Sequence, residues 1–467
     1  MKAILPVLLV PIVLMTAGCF PQERLWWSPD GRQLAMLAPD GLRLSSPDGL
    51  LAPATLEGAQ AAAWLPDSSG LVVMRQLKFA HWNEVKNLVP AAEIARIEEL
   101  AKAIPGLAKA LVDATGGDED RIDPFLKSLD VRDPVALEPA FLCARQTNQP
   151  ALEAALAGAP DGWRKQLAED IPFTVDEIAV VAREGSESLG SPKPLVRSLF
   201  GLGAPVVSPK HGLVAFTSGQ GLVAAALDGS SFLAVAERVT GTCVWSTDGL
   251  SLFHLVPTSS GDTDELALAE LRTRTVADAS GTLLKDTGDL MTPQTCSPAT
   301  TLAVTACSGV QRLAVLPDGR ILFASVSLAL PMATRSVPGI ARLFLIDPAQ
   351  GKDARPVAVP ADPQSLPGTL QFFAVSPDGK RVALVDSSKD VVAVLELATG
   401  KVEVVSPDRG WKCRTLPAWR SNDELAFAAL PDKRSDRPEV MVWTAGNPAR
   451  PISETWEVGI VNTLLEK

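Results

Sequence analysis

The sequence predicts an all-β chain: a β-propeller of about seven four-stranded blades, with an α-helical insertion in the second blade. Three observations carry this. A short turn recurs about seven times along the chain, each copy preceded by Trp or Val. An apolar strand follows most copies. Repeats of roughly 40–50 residues, each holding four short strands, are the period of a propeller blade. One blade cannot bury its faces alone, whereas a closed ring of blades can.

The unit is clearest between Phe372 and Val405. Phe373-Ala374-Val375 enters a turn at Ser376-Pro377-Asp378-Gly379, and Arg381 to Val385 leaves it. Val391 to Leu397 is a third strand, and Val402 to Val405 a fourth. Proline presets φ for the turn, aspartate bonds to nearby backbone, and glycine accepts the positive φ that closes the hairpin. The other copies are Trp27-Ser-Pro-Asp-Gly31, Trp64-Leu-Pro-Asp-Ser68, Val207-Ser-Pro-Lys-His211, Trp245-Ser-Thr-Asp-Gly249, Val315-Leu-Pro-Asp-Gly319 and the degenerate Trp419-Arg-Ser-Asn-Asp423. Strands such as Leu34–Leu37, Leu71–Met74, Leu213–Phe216 and Leu425–Phe427 follow them.

This W/V-S-P-D-G turn with its L-A-F-like strand resembles the blade of TolB-type, WD-repeat-like propellers. The resemblance covers most of the chain outside the N-terminus and residues 80–172. The copies at Val207 and Trp419 depart from the pattern and leave the count between six and eight blades.

Taken in order, residues 1–18 form a signal peptide: Lys2, an apolar run from Ala3 to Met15, then the small residues Thr16, Ala17 and Gly18. The run is short, holds Pro6 and Pro11, and lacks a charged stop-transfer flank, so it does not suit a membrane-spanning helix. The Cys19 that follows resembles the lipidated cysteine of a bacterial lipobox. That resemblance implies cleavage before Cys19, acylation, and a site in the cell envelope. Phe20 stands where aspartate would favour the inner membrane, which points to the periplasmic face of the outer membrane.

Residues 19–79 hold the first blade and the first part of the second. Residues 80–172 then change to a helical period of about five short helices. Ile94, Ile97, Leu100, Ala101 and Ile104 share a face, and Asp123-Pro124, Asp133-Pro134 and Gln149-Pro150 read as helix starts. A folded insert suits that length better than a bare loop. Residues 173–467 resume the propeller. Ile178–Val181 and Leu195–Leu199 would complete blade two, and the stretch 292–309 reads as either an extra hairpin or a decayed blade.

Composition narrows the function. The formal charge of −11 with no basic run argues against nucleic acid as a partner. The histidines His81, His211 and His254 lack metal-ligand spacing, and the acidic runs 118–123 and 262–265 do not match a calcium loop. G-x-S-x-G, G-x-G-x-x-G, P-loop and C-x-x-C motifs are all absent. No catalytic, cofactor or metal residue is therefore expected. Trp27, Trp64, Trp245 and Trp419 alternate with Val at one repeat position, which suits packing between blades better than a stacking ring for a ligand. Of the five cysteines besides Cys19, Cys296 and Cys307 flank an expected hairpin and are the candidate disulfide. The expectation is a lipid-anchored, non-catalytic scaffold that binds a protein or cell-envelope partner. The alternatives are a propeller enzyme of lyase or hydrolase type, and a small-molecule or glycan sensor using the central channel.

Overall fold

In the computed structural model each recurring turn closes a hairpin, and the hairpins begin seven antiparallel sheets. The structure describes residues 23–452 apart from 39–40, 46–55, 117, 119–120, 122–133, 161–170, 186–187, 220, 259–266, 285–297, 308–310, 327–340, 362–365, 367–369, 371, 387–390, 406–411, 414 and 431–438. The chain divides into two compact units. One comprises residues 21–75, 179–195 and 203–467, and the other holds residues 76–178 and 196–202.

The first unit is the propeller, with seven blades. Blade 1 is Leu25–Trp27, Leu34–Ala38 and Gly41–Ser45, with Leu56 bridged to Leu42 at its outer edge. Blade 6 matches the repeat read from sequence: Phe373–Val375, Arg381–Asp386, Val391–Glu396 and Val402–Val404 pair in that order. Blades 3 and 5 have the same plan, from Val206 to Ala236 and from Leu313 to Ala358. Blade 7 spans Lys412 to Pro451, and its first strand is split into Lys412–Cys413 and Ala418–Trp419, both paired with Glu424–Leu430.

Two expectations need correction. The stretch 292–309 is neither an extra hairpin nor a decayed blade. Its strand Thr300–Cys307 pairs with Ala267–Thr275 and is the outer strand of blade 4. A long connection before the fourth strand had separated it from its blade in the linear reading. In blade 2 the fourth strand is Ser188–Leu189, paired to the end of the twelve-residue strand Phe173–Glu184. Lys193–Ser198 is a fifth strand on that same long partner.

Inner strands such as Leu34–Ala38 are apolar and buried on both faces, outer strands such as Val402–Val404 are exposed, and the core lies in the seams between consecutive sheets. Between blades 5 and 6, Leu322, Ala324 and Leu343 pack with Phe373, Val382 and Leu384. Between blades 3 and 4, Leu213, Ala215 and Val235 meet Cys243, Trp245 and Leu252. The first and last blades close the ring in the same way, through Leu25, Trp27, Leu34 and Met36 against Ala426, Val440 and Ile452. Among the described residues no strand is exchanged between them.

The second unit is helical. Among the described residues its helices are α1 (Trp82–Val85), α2 (Ala91–Thr115), α3 (Leu137–Thr147), preceded by a 3-10 turn at Pro134–Ala136, and α4 (Gln149–Ala155). Sequence periodicity suggested short helices, yet α2 runs for 25 residues straight through Pro105. Its buried face continues on both sides of that proline, as Ile97, Ala101 and Ile104 and then Ala108 and Leu111. Burial of that stripe outweighs the lost backbone bond. Gly116, at φ +58, ends the helix, its N–H bonded to the Val112 carbonyl. Helix α3 starts at Leu137, one 3-10 turn later than the Asp133-Pro134 pair suggested. The Asp123-Pro124 start lies outside the described residues.

Candidate functional site

The recurring turn is a polar device built from its own residues. In blade 6 the Ser376 hydroxyl donates to Asp378 Oδ1 at 2.7 Å and accepts from the Arg381 N–H at 3.0 Å. Asp378 Oδ1 also accepts from the Lys380 N–H, and the Gly379 N–H bonds the Ser376 carbonyl. The same set recurs at Ser28 with Asp30 and at Ser246 with Asp248. The Ser246 hydroxyl, ahead of an opposing effect of burial, holds the Asp248 carboxyl below its ordinary range. At Asp378 burial pushes upward and is outweighed by Ser376, the Lys380 N–H and the nearby Lys380 and Arg381 charges.

Two of the three copies without glycine keep its backbone conformation. Ser68 and His211 occupy the glycine position at φ +59 and +63, and they are the only non-glycine residues with positive φ among the described residues. Both belong to residue types that cost more there than glycine does. The turns also bond to one another. The Asp30 N–H donates to Ser68 Oγ, the Asp378 N–H to Asn422 Oδ1, and the Arg420 Nε–H to the Gly31 carbonyl. Arg420 also stacks its guanidinium 5.0 Å from the Trp27 ring centre across the closing seam.

The repeat tryptophans are blade-to-blade ties. Trp64, Trp245 and Trp419 each donate Nε1–H to the carbonyl of Trp26, Val206 or Ala374, at 2.9, 2.8 and 2.9 Å. Each acceptor directly precedes the Trp or Val of the previous blade's turn. All three rings are buried, so they offer no stacking platform to a ligand.

The helical unit buries its charges differently. Glu177 is fully buried and pairs with Arg197, Nε to Oε2 at 2.6 Å. Asp176 accepts from the Leu202 N–H at 2.8 Å, and burial pushes its carboxyl above the ordinary range. Buried Glu93, on α2, accepts from the Leu199 N–H at 2.9 Å. These carboxylates fasten the segment 196–202 within the unit. Sequence reasoning missed them, although Asp176-Glu177 inside the apolar run TVDEIAVV was a signal: two acids there must find partners.

The histidines stand apart from one another. His81 caps α1, its N–H bonded to Glu84 Oε2, His211 sits in a turn, and His254 is buried in blade 4. Burial first, and the charges of Arg274 and Arg272 next, push the His254 imidazole down to about 4. Among the described residues no three His, Cys, Asp or Glu side chains converge as a metal site requires. Cys143, Cys243 and Cys413 are buried, the Cys413 thiol donates to the Thr415 carbonyl, and burial raises the Cys243 thiol to about 12. Cys19 and Cys296 lie outside the described residues, as do most of the two acidic runs, so the lipid anchor and the Cys296–Cys307 pairing do too. Among the described residues no helix is long and apolar enough to cross a membrane.

The fold defined by these sheets is a seven-bladed β-propeller. No family model matches the chain, and no curated protein does. Solved structures with some likeness include puromycin hydrolase, 18% identical with a TM-score of 0.40, covering 62% of this chain and 44% of that one. The chain thus spans less than half of that hydrolase. A putative TolB from Agrobacterium tumefaciens is 12% identical at TM-score 0.35, covering 56% of this chain and 84% of that one. The Cps50 (Swd1) β-propeller domain of Myceliophteria thermophila is 9% identical at TM-score 0.43, covering 88% and 94%. The blade count rests on the chain's own sheets and not on these likenesses.

Proposed function

We propose that this protein is a lipid-anchored, extracytoplasmic lipoprotein whose non-catalytic propeller is a scaffold for binding a protein or cell-envelope partner. The observation that carries the reading is the folded helical unit spliced between the second and third strands of blade 2. In blades 1 and 3 the same connection takes only residues 39–40 and 219–220. Ring closure therefore does not require the insert, and loops added to a rigid scaffold are where binding function concentrates. The leader of residues 1–18 followed by Cys19 supports an anchor in the cell envelope, and Phe20 after it supports the periplasmic face of the outer membrane.

Two measurements test this. Cys19→Ser should move the protein from the membrane fraction to the soluble fraction, and mass spectrometry should find acyl chains on the wild type only. A mutant that still sediments, with no acyl chain on the wild type, rules out the anchor. Replacing residues 80–172 by a Gly-Ser linker should leave a β-rich ring that melts cooperatively and no longer crosslinks to the partner captured from intact envelope by the wild type. A folded ring that captures the same partner would put recognition on the blades.

A further inference from the structure

The seam between blades 3 and 4 contains an arginine that, among the described residues, has no carboxylate beside it. Strands Ser251–Pro257 and Ala267–Thr275 of blade 4 pair His254 with Arg272 and Leu252 with Arg274, so all four side chains leave the same face of the sheet. That face meets blade 3: Leu252 packs with Leu213 and Val235, and Arg274 Nη1 donates to the Val235 carbonyl. Arg272 is neutralised by Glu270, 2.7 Å away, whose carboxylate also takes the Thr301 hydroxyl. Arg274 has no such acid beside it among the described residues. Its Nε is buried with no hydrogen-bond partner, and so is Nδ1 of His254, a side chain only 1% exposed.

The Arg274 guanidinium is part-buried with its Nε covered, it cannot shed its proton, and buried charges in proteins are normally paired. Two unpartnered nitrogens on neighbouring positions of one sheet face, beside an uncompensated positive charge, are complementary to acceptor oxygens that carry negative charge. We propose that this seam binds a small oxoanion, which accepts from Arg274 Nε–H and from His254 in its Nδ1–H tautomer. The anion supplies the negative charge that blade 4 does not, and it ties the outer part of blade 4 to blade 3. Inorganic phosphate and a carboxylate share this chemistry, and phosphate is the better match for donors arriving from two strands because it offers more acceptor oxygens.

The test uses the full chain and inorganic phosphate as probe. With three histidines in the sequence, the imidazole 15N–1H spectrum is simple, and His81 and His211 serve as exposed internal controls. Phosphate added at pH 7, at constant ionic strength set with chloride, should shift the His254 signals saturably, leave the other two unmoved, and raise the melting temperature. Acetate in the same titration distinguishes a carboxylate-sized site, which binds both, from one selective for tetrahedral anions. Arg274→Met should weaken phosphate binding at least tenfold. If that variant does not fold, the wild-type titration decides alone. His254 signals that ignore all the oxoanions, or that follow chloride equally, overturn the proposal and leave bound water as the partner of both nitrogens. Unchanged phosphate affinity in folded Arg274→Met overturns it as well.

Discussion

The propeller and the helical unit bury polar groups by opposite means. In the propeller the turn acids and hydroxyls bond to backbone two to five residues away, as Ser376 and Asp378 do with Lys380 and Arg381. In the helical unit Glu93 reaches the Leu199 N–H across 106 positions of sequence, and Asp176 reaches Leu202 across 26. The first arrangement is repeated, exposed to solvent on one side, and survives loss of a member. Val315-Leu316 replaces the serine, yet Gly319 N–H still bonds the Leu316 carbonyl. The second is unique and intolerant, because a buried charge that loses its partner is strongly destabilising.

The largest effect should therefore come from the helical unit. Arg197→Met takes the guanidinium from the buried Glu177 carboxylate and should cost about 3 kcal/mol. Chemical denaturation with a probe in that unit reads it. A loss below about 1 kcal/mol would mean the unit tolerates a buried carboxylate without its guanidinium, and the contrast with the ring would fail.

Next is the turn backbone. Gly379 sits at φ +70, and a Cβ there would lie 2.5 Å from Pro317 Cδ of the neighbouring blade's turn. Gly379→Val combines a forbidden conformation with that clash and should cost about 2 kcal/mol. An unchanged melting temperature would sink the turn assignment. Asp378→Ala removes local bonds that solvent partly replaces, so its cost should be near 1 kcal/mol. The ratio of these two separates backbone conformation from side-chain bonding within the same turn.

The smallest effect is in pH dependence. The folded ring depresses the Asp248, Asp318 and Asp378 carboxyls, so their contribution is present above their unfolded values and is lost as pH falls through the folded ones. Asp176 has the reverse sign: its raised folded value is a penalty at neutral pH, relieved as pH falls through that value. From pH 7 toward pH 3, the protection of turn amides such as those of Leu250 and Lys380, taken relative to intrinsic exchange at each pH, should fall more than that of Leu202. An equal loss of protection in both units would remove the electrostatic side of the contrast.

The same contrast explains what the sequence disclosed. Local chemistry leaves a local signature, so the turns, and the strands of blade 6 to within a residue or two, were legible before any coordinates. The copies at Val207 and Trp419 lacked glycine and blurred the blade count, because a positive φ carried by His211 has no residue-type signal. The strand Thr300–Cys307 was detached from blade 4 by a long connection, since strand order in a sheet is tertiary information. The helix through Pro105 and the anchors Glu93, Asp176 and Glu177 were hidden for the same reason. Burial of a long stripe overrode a breaker, and partners far apart in sequence satisfied the acids. His254 was visible as a histidine in an apolar strand, but the two arginines beside it become its neighbours only through the register of the sheet.

The closing seam carries one more consequence. Blade 1 is made of early residues and blade 7 of late ones, and side chains alone join them: an apolar cluster, the Arg420 bond to the Gly31 carbonyl, and the Arg420–Trp27 stack. Chemically it is one seam among seven, with no covalent stitch and no borrowed strand among the described residues. A circular permutant that joins the two outer ends and opens the chain at the connection between blades 3 and 4, around residues 237–239, would keep every hydrogen bond named here within the ring. Where the chain starts and stops is then a property of the gene, and the ring itself has no first blade.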